Sequence, residues 1–340
     1  MVHLKEKESC PIMLDTNKML EYTSPVQADL DDFSRNLNDV VKGDSPLIAS
    51  IARHLLKARG KRIRPAFLFL SSRAADNFTE HTVSASLAIE LIHTATLLHD
   101  DVVDESEMRR GQDTVNAQWT NLISVLMGDY LFAKAFRIMV TTESLQLMQA
   151  ISEATERVSI GELRQIEETG NYDVSEDEYL SIIADKTASL FAVSCETGPI
   201  LLKRPIGERQ RFAMFGEKIG TAFQIADDLL DFVGDAEVTG KEPGNDVLTG
   251  RVTLPLIFTL KNVGKAARKE ILGCLDQPER DQETFQRLHQ FVTESGGIDY
   301  AYDRADRLCQ QGLDAISKVK ESIYYDSLAG MVEFAIARAS

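Results

Sequence analysis

Apolar residues recur at helical spacing through nearly every long segment of this 340-residue chain, and no stretch sustains the alternation of a strand. Ala85, Leu87, Ala88, Leu91, Ile92, Ala95 and Leu98 trace one such face. Stripes of this kind are buried helix against helix, so the fold is expected to be all-α. Helix starts are legible: Ser175, with Glu178 three residues on, forms a capping box before Tyr179-Leu180-Ser181-Ile182-Ile183. Breaks are expected at Gly60, Ala75-Asp76-Asn77, Gly170-Asn171, Pro205-Ile206-Gly207, Gly234 to Gly250, and Gly296-Gly297. Residues 1–22 are polar and weakly periodic and read as an N-terminal leader, leaving 23–340 as one helical domain.

One of these apolar runs ends in Asp100-Asp101-Val102-Val103-Asp104, and a second ends in Asp227-Asp228-Leu229-Leu230-Asp231. In each phrase the first and last carboxylates sit at i and i+4 on one helix face, where like charges repel by about 0.2–0.5 kcal/mol. Acids near a helix C-terminus also oppose its dipole. One copy alone could be a solvated helix end. Two copies, each behind a run that buries its helix, call for a bound cation. Mg²⁺ is the matching ion: it takes one or two carboxylates and lets substrate phosphates complete its shell.

The net charge is −16, from 53 acidic against 37 basic side chains, which argues against a nucleic-acid or anionic-membrane surface. An anionic substrate therefore needs local cations. Gly60-Lys61-Arg62-Ile63-Arg64-Pro65 supplies three, and Arg109-Arg110, just after the first acidic phrase, supplies two more. Arginine forks match phosphate oxygens. His93 lies two turns before Asp100 on the same face, and Lys186-Thr187 closes the apolar run at Ile182-Ile183. His93 and His99 could equally be satisfied core residues, and Lys186 could simply snorkel. The glycine-rich stretch Gly234 to Asp246 is expected to be a non-helical loop carrying Lys241. Cys10, Cys195, Cys274 and Cys309 show no ligand spacing and read as reduced thiols. No apolar run approaches the roughly 18 residues of a membrane span, and no secretory h-region is present, so a cytoplasmic protein is expected. Nucleophile, P-loop and dinucleotide motifs are absent.

In order and spacing, Gly60-Lys61-Arg62-Ile63-Arg64-Pro65, His93, the two acidic phrases, Arg109-Arg110-Gly111, Lys186-Thr187, Gln224 and Gly240-Lys241 resemble the trans-isoprenyl diphosphate synthases. The resemblance runs from about residue 25 to the end and is strongest to bacterial long-chain polyprenyl synthases of the octaprenyl type. It implies an isoprenoid synthase-type helical bundle around a deep central cavity, assembled as a homodimer. The implied activity is a Mg²⁺-dependent prenyltransferase that condenses isopentenyl diphosphate onto an allylic diphosphate. About three Mg²⁺ ions would join the acidic phrases to the allylic diphosphate. Asp100, Asp104 and Asp227 are the implied ligands, supported by Asp101, Asp228 and Asp231. Arg109, Lys186 and Lys241 would grip the allylic diphosphate. Lys61, Arg64, His93 and Arg110 would hold isopentenyl diphosphate, and Thr187 and Gln224 would face the developing cation.

Short-chain relatives carry bulky aromatics one turn before the first acid, where this chain has Ala95 and Thr96. A deeper pocket and a product of about C35–C50, delivered to a membrane for quinone side chains, are therefore expected. Met139, Met148 and Ile151 are candidate floor residues. Arg251 stands where relatives often carry lysine, and it is expected to lie away from the metal site. Two alternatives are a shorter-chain synthase and a non-catalytic subunit of a heteromeric synthase. The latter would be expected to have lost acids, and all six are present.

Overall fold

The computed structural model describes residues 16–42, 45–57, 60–76, 78–109, 111–233, 243–277 and 280–336. Within these the chain is a helical bundle, as the periodicity requires. The order is α1 (Thr16–Thr23), α2 (Gln27–Val40), α3 (Pro46–Lys57), α4 (Ile63–Ala74), α5 (Thr82–Val103), α6 (Val115–Gln118), α7 (Asn121–Val140) and α8 (Leu145–Glu167). There follow α9 (Glu176–Ile183), α10 (Ser189–Leu201), α11 (Ile206–Val233), α12 (Asn245–Leu248), α13 (Leu254–Asn262), α14 (Lys265–Leu275), α15 (Gln282–Glu294), α16 (Gly297–Ala315) and α17 (Ile323–Ile336). A two-residue antiparallel ladder, Met108–Arg109 with Gln112–Asp113, is the one β-ladder among the described residues.

The centre is built by α5, α8, α10 and α11, whose apolar positions face one another. α5 lies along α7, α10 is wedged among α4, α8 and α11, and α16 backs α11. α4, α5 and α10 are buried on most sides, which explains their weak amphipathicity against the polar outer faces of α15 and α16. A second, smaller apolar cluster around Leu256, Ile271, Phe285 and Leu288 ties α13, α14 and α15 to the end of α11.

Local signals worked as read at several joints. Ser175 Oγ accepts from the Glu178 amide at 3.1 Å. Gly170, Gly250 and Gly296 adopt positive φ at loop turns. Part of the segment read as a leader is helical: α1 packs on α17, with Tyr22 against Gly330. The stretch expected to be loop as far as Asp246 instead starts a helix at Asn245, because the Asp231 carboxylate accepts from the amides of Asn245 and Asp246 at 3.0 and 2.9 Å. Cys195, Cys274 and Cys309 are buried free thiols, and Cys10 lies outside the described residues. No helix among the described residues is long and apolar enough to cross a membrane.

α4 and α10 cross so closely that a Cβ on Gly198 would lie 2.3 Å from Ser72 Oγ and 2.5 Å from its Cα. Gly198→Ala should therefore destabilise the fold by about 1–3 kcal/mol through overpacking. The check is a lower urea midpoint at unchanged slope.

Candidate active site

A cavity of about 800 Å³ opens between the C-terminal ends of α5 and α11 and the segments that follow α8 and α11. α5 contributes His93, Thr96, Leu97 and Asp100, a stripe at i, i+3, i+4 and i+7. α11 contributes Phe223, Gln224, Asp227, Asp228 and Asp231. The two acidic phrases thus meet at one cavity.

The basic wall comes from the turn before α4. Arg62 sits there in the left-handed region, with φ of 52°, and its guanidinium bonds Glu90 at 2.7 Å. Lys61 and Arg64 line the cavity on either side of it. Pro65 falls in the first turn of α4, where no intrahelical N–H bond is required. Arg64 Nη1 donates to His93 Nε2 at 3.0 Å while its guanidinium lies over the Phe191 ring, 4.7 Å from the centroid. Guanidinium has no acceptor, so this bond fits a neutral imidazole protonated at Nδ1. His99, by contrast, packs against Phe132 and bonds the Val125 carbonyl, and it is not on the cavity wall.

Lys186 and Thr187 reach the cavity from a wide π-type turn, Ala184–Ala188, between α9 and α10. Such turns are rare and gather at functional sites. Gly161 of α8 makes room for it, since a Cβ there would lie 2.4 Å from the Lys186 nitrogen. Lys186 Nζ is 2.5 Å from Glu162. Thr187 Oγ1 donates to Gln224 Oε1 at 2.7 Å, Gln224 Nε2 donates to Asp228 Oδ1 at 2.8 Å, and Tyr179 Oη donates to Asp228 Oδ2 at 2.6 Å. Asp228 is therefore occupied on both oxygens, and Asp231 caps α12. Asp101 lies buried behind the wall, holding Arg109 Nε at 2.6 Å and aiming that arginine into the cavity.

Two readings change. Arg251 does not lie away from the acids: it pairs with Asp104 of the first phrase and lies 3.7 Å from Asp246, spanning the mouth. Ala95 is fully buried and is not on the cavity wall, whereas Thr96 is, because four residues before Asp100 share its face and five do not. Met139 and Ile151 are likewise buried in the apolar core, and Met148 packs against it. Arg110 and Lys241 lie outside the described residues. Glu162 and Tyr179 had no signal in the sequence, since each matters through a partner 24 and 49 positions away, Lys186 and Asp228; Asp246 gains its role only from burial beside Asp231.

Burial, then Glu162, pushes the Asp100 carboxyl up to about 7, with Lys186 and Arg109 pulling the other way. Burial, then Asp231, takes Asp246 to about 7, and burial, then Asp246, raises Asp228 well above the carboxylate range. The rim holds more acid than its cations neutralise, which fits a hard divalent ion. Among the described residues no three His, Cys, Asp or Glu side chains are grouped closely enough to hold a metal by themselves. Phosphate oxygens would have to complete the shell.

A helical bundle with an acidic rim and a basic wall facing one deep cavity is a site for a metal-bound polyanion with an apolar tail. Comparison with known proteins agrees. A model of the polyprenyl synthetase family matches residues 45–292. The all-trans-nonaprenyl-diphosphate synthase of Rhodobacter capsulatus is 35% identical over 316 residues, covering 93% of this chain and 96% of that one. The octaprenyl diphosphate synthase of Haemophilus influenzae is 33% identical over 310 residues, covering 91% and 94%. A crystal structure of a polyprenyl synthase from Caulobacter crescentus, complexed with calcium and isoprenyl diphosphate, superposes with a TM-score of 0.88 at 32% identity over 98% of this chain and 100% of that one. The chain belongs to the polyprenyl synthetase family, and it is a prenyltransferase of the prenyl diphosphate synthase type.

The raised carboxyls carry a pH signature. The unfolded chain releases these protons near 3.8, while the folded, metal-free protein keeps them to about 7. Their contribution to stability is therefore full below pH 4 and is lost as pH rises to about 7. Without divalent cations, Asp100→Asn should gain stability over the parent chain at pH 8 but not at pH 4. Denaturant titrations at the two pH values check this.

Proposed function

We propose that the chain is a long-chain all-trans polyprenyl diphosphate synthase, extending an allylic diphosphate head to tail with isopentenyl diphosphate to about C35–C50. The observation that carries this reading is the meeting, in one cavity, of acids from both phrases with the separate Lys61, Arg64 and His93 cluster. One diphosphate site would serve ionisation alone; two serve condensation. The likeness to an octaprenyl and a nonaprenyl diphosphate synthase supports the long product.

In this reading Asp100, Asp104 and Asp227 hold Mg²⁺, which when bound supplies positive charge to the departing diphosphate. Asp101, Asp228 and Asp231 support from behind, in keeping with their bonds to Arg109, to Gln224 and Tyr179, and to α12. Arg109, Lys186 and Lys241 bind the allylic diphosphate, and Arg251 exchanges Asp104 for it. Lys61, Arg64, His93 and Arg110 orient isopentenyl diphosphate so that its double bond faces the allylic carbon. The allylic C–O bond breaks, the double bond attacks that carbon, and the diphosphate released takes the proton lost from the new chain. The Thr187 and Gln224 oxygens stabilise the developing cation. Thr96, small and on the wall one turn below Asp100, lets the tail descend. No protein nucleophile is required.

A homodimer belongs to the same reading. α7 leaves Leu122, Leu126, Phe136 and Val140 exposed, and α8 leaves Leu163 and Ile166. Apolar side chains left exposed along these helices support an interface there. Leu126→Glu should shift the sedimenting species from dimer to monomer.

The central test is incubation with Mg²⁺, labelled isopentenyl diphosphate and farnesyl or geranylgeranyl diphosphate, followed by sizing of the dephosphorylated products. A main product of C20 or shorter would sink the long-chain assignment. Asp100→Asn should slow turnover by about 10²–10³-fold. EDTA should abolish it, and added Mg²⁺ should restore it. Thr96→Phe should shorten the product, whereas Ala95→Phe should lower the melting temperature, because Ala95 is fully buried in the apolar core, where a ring would overpack.

A further inference from the structure

The turn that carries Lys186 and Thr187 is gripped from behind by a cluster that is not on the cavity wall. Asp185, the residue before Lys186, faces α8. Arg157 Nε donates to its Oδ1 at 2.8 Å, and Arg164 Nη1 donates to its Oδ2 at 3.1 Å. Each carboxylate oxygen thus takes one arginine. Each arginine has a second anchor on another helix. Arg157 Nη2 reaches Glu217 of α11 at 3.1 Å, while Arg164 reaches Glu178 and Ser181 of α9 at 2.6 and 2.9 Å. The Asp185 carbonyl also accepts from Ser189 Oγ at 2.6 Å.

The spacing on α8 gives this cluster its purpose. Arg157, Gly161 and Arg164 are four and three residues apart, so they share one face. Gly161 sets how near the turn can come, since its missing Cβ leaves room for the Lys186 backbone. The two arginines hold the turn at that distance from both sides. A π-type turn is not a favoured helical state and persists where its surroundings determine it. Here the surroundings are three helices joined through a single carboxylate. All three residues are half-buried or better, so their bonds are less exposed to competition by water than those of surface pairs.

We propose that Asp185, clamped by Arg157 and Arg164, is a positioning residue that sets Lys186 and Thr187 at the diphosphate end of the cavity. This rests on the reading of Lys186 and Thr187 given above. Asp185 does not touch substrate; it acts through the register of the next two residues. A displacement of about 1 Å in groups that position substrate can change rates by about 10²-fold.

The test is steady-state kinetics, with melting temperatures, on the full-length enzyme with Mg²⁺ and both substrates. Asp185→Asn should lower kcat by about 10- to 100-fold and raise KM for the allylic diphosphate, with KM for isopentenyl diphosphate within about twofold of the parent. Arg157→Gln and Arg164→Gln should each do less, because one clamp remains. The double arginine variant should match Asp185→Asn, and adding Asp185→Asn to it should have no further effect, as expected of residues in one linkage. A parental kcat in Asp185→Asn, independent and multiplying losses, or equal changes in both KM values would overturn the proposal. Lys186→Gln tests the reading beneath it. A parental rate there overturns that reading whatever Asp185→Asn does. A slow Lys186→Gln beside a parental Asp185→Asn overturns the positioning role alone.

Discussion

Repulsion among carboxylates brought to one cavity is the constraint around which this structure is arranged. α5 and α11 end in acids, both pack against the buried α10, and both bring acids to the same cavity. Asp100, Asp228 and Asp246 are all pushed upward, first by burial and then by a neighbouring acid: Glu162 for Asp100, Asp246 for Asp228 and Asp231 for Asp246. Much of the polar structure nearby serves to offset this charge. Arg109 takes Asp101, Arg251 takes Asp104, Tyr179 and Gln224 take Asp228, and the start of α12 takes Asp231. Asp100, which faces the cavity from α5, is an acid assigned to metal in the proposed mechanism together with Asp104 and Asp227. The same imbalance that strains the metal-free rim favours a divalent ion bound with diphosphate.

The basic side of the cavity follows the opposite logic. Cations there are spaced by protein acids and rings rather than packed together: Arg62 on Glu90, Arg64 on Phe191 and His93, Lys186 on Glu162. Each is thereby aimed while still lining the cavity. A left-handed residue at Arg62 and a π-type turn at Lys186 are local departures from ideal backbone. Both occur where cations must face inward from the start of a helix.

Much of the fold was legible because helical periodicity is a local property and the apolar residues are abundant. The N-cap at Ser175 and the turns at Gly170, Gly250 and Gly296 were legible for the same reason, whereas the Glu178 carboxylate, read as the other half of a capping box, bonds Arg164. α12 was missed because its first turn is capped from outside by Asp231, so a glycine-rich stretch gave no hint of it. Arg251 was misjudged because its partner Asp104 lies 147 positions earlier in the chain. Ala95 and Thr96 could not be told apart by side-chain size, and helix geometry turns only Thr96 toward the cavity.

The sequence by itself determined that the chain is helical, that two acidic phrases end two buried helices, and that cations stand at spacings shared with one enzyme family. These are properties of residue type and of intervals within single helices. The tertiary structure alone decided which partners hold Asp101, Asp104, Asp228 and Asp231, which small residue faces the cavity, and how Lys186 is aimed. Those outcomes depend on contacts between residues tens to hundreds of positions apart, such as Arg157 and Arg164 with Asp185. No periodicity or local motif encodes such contacts before the helices pack.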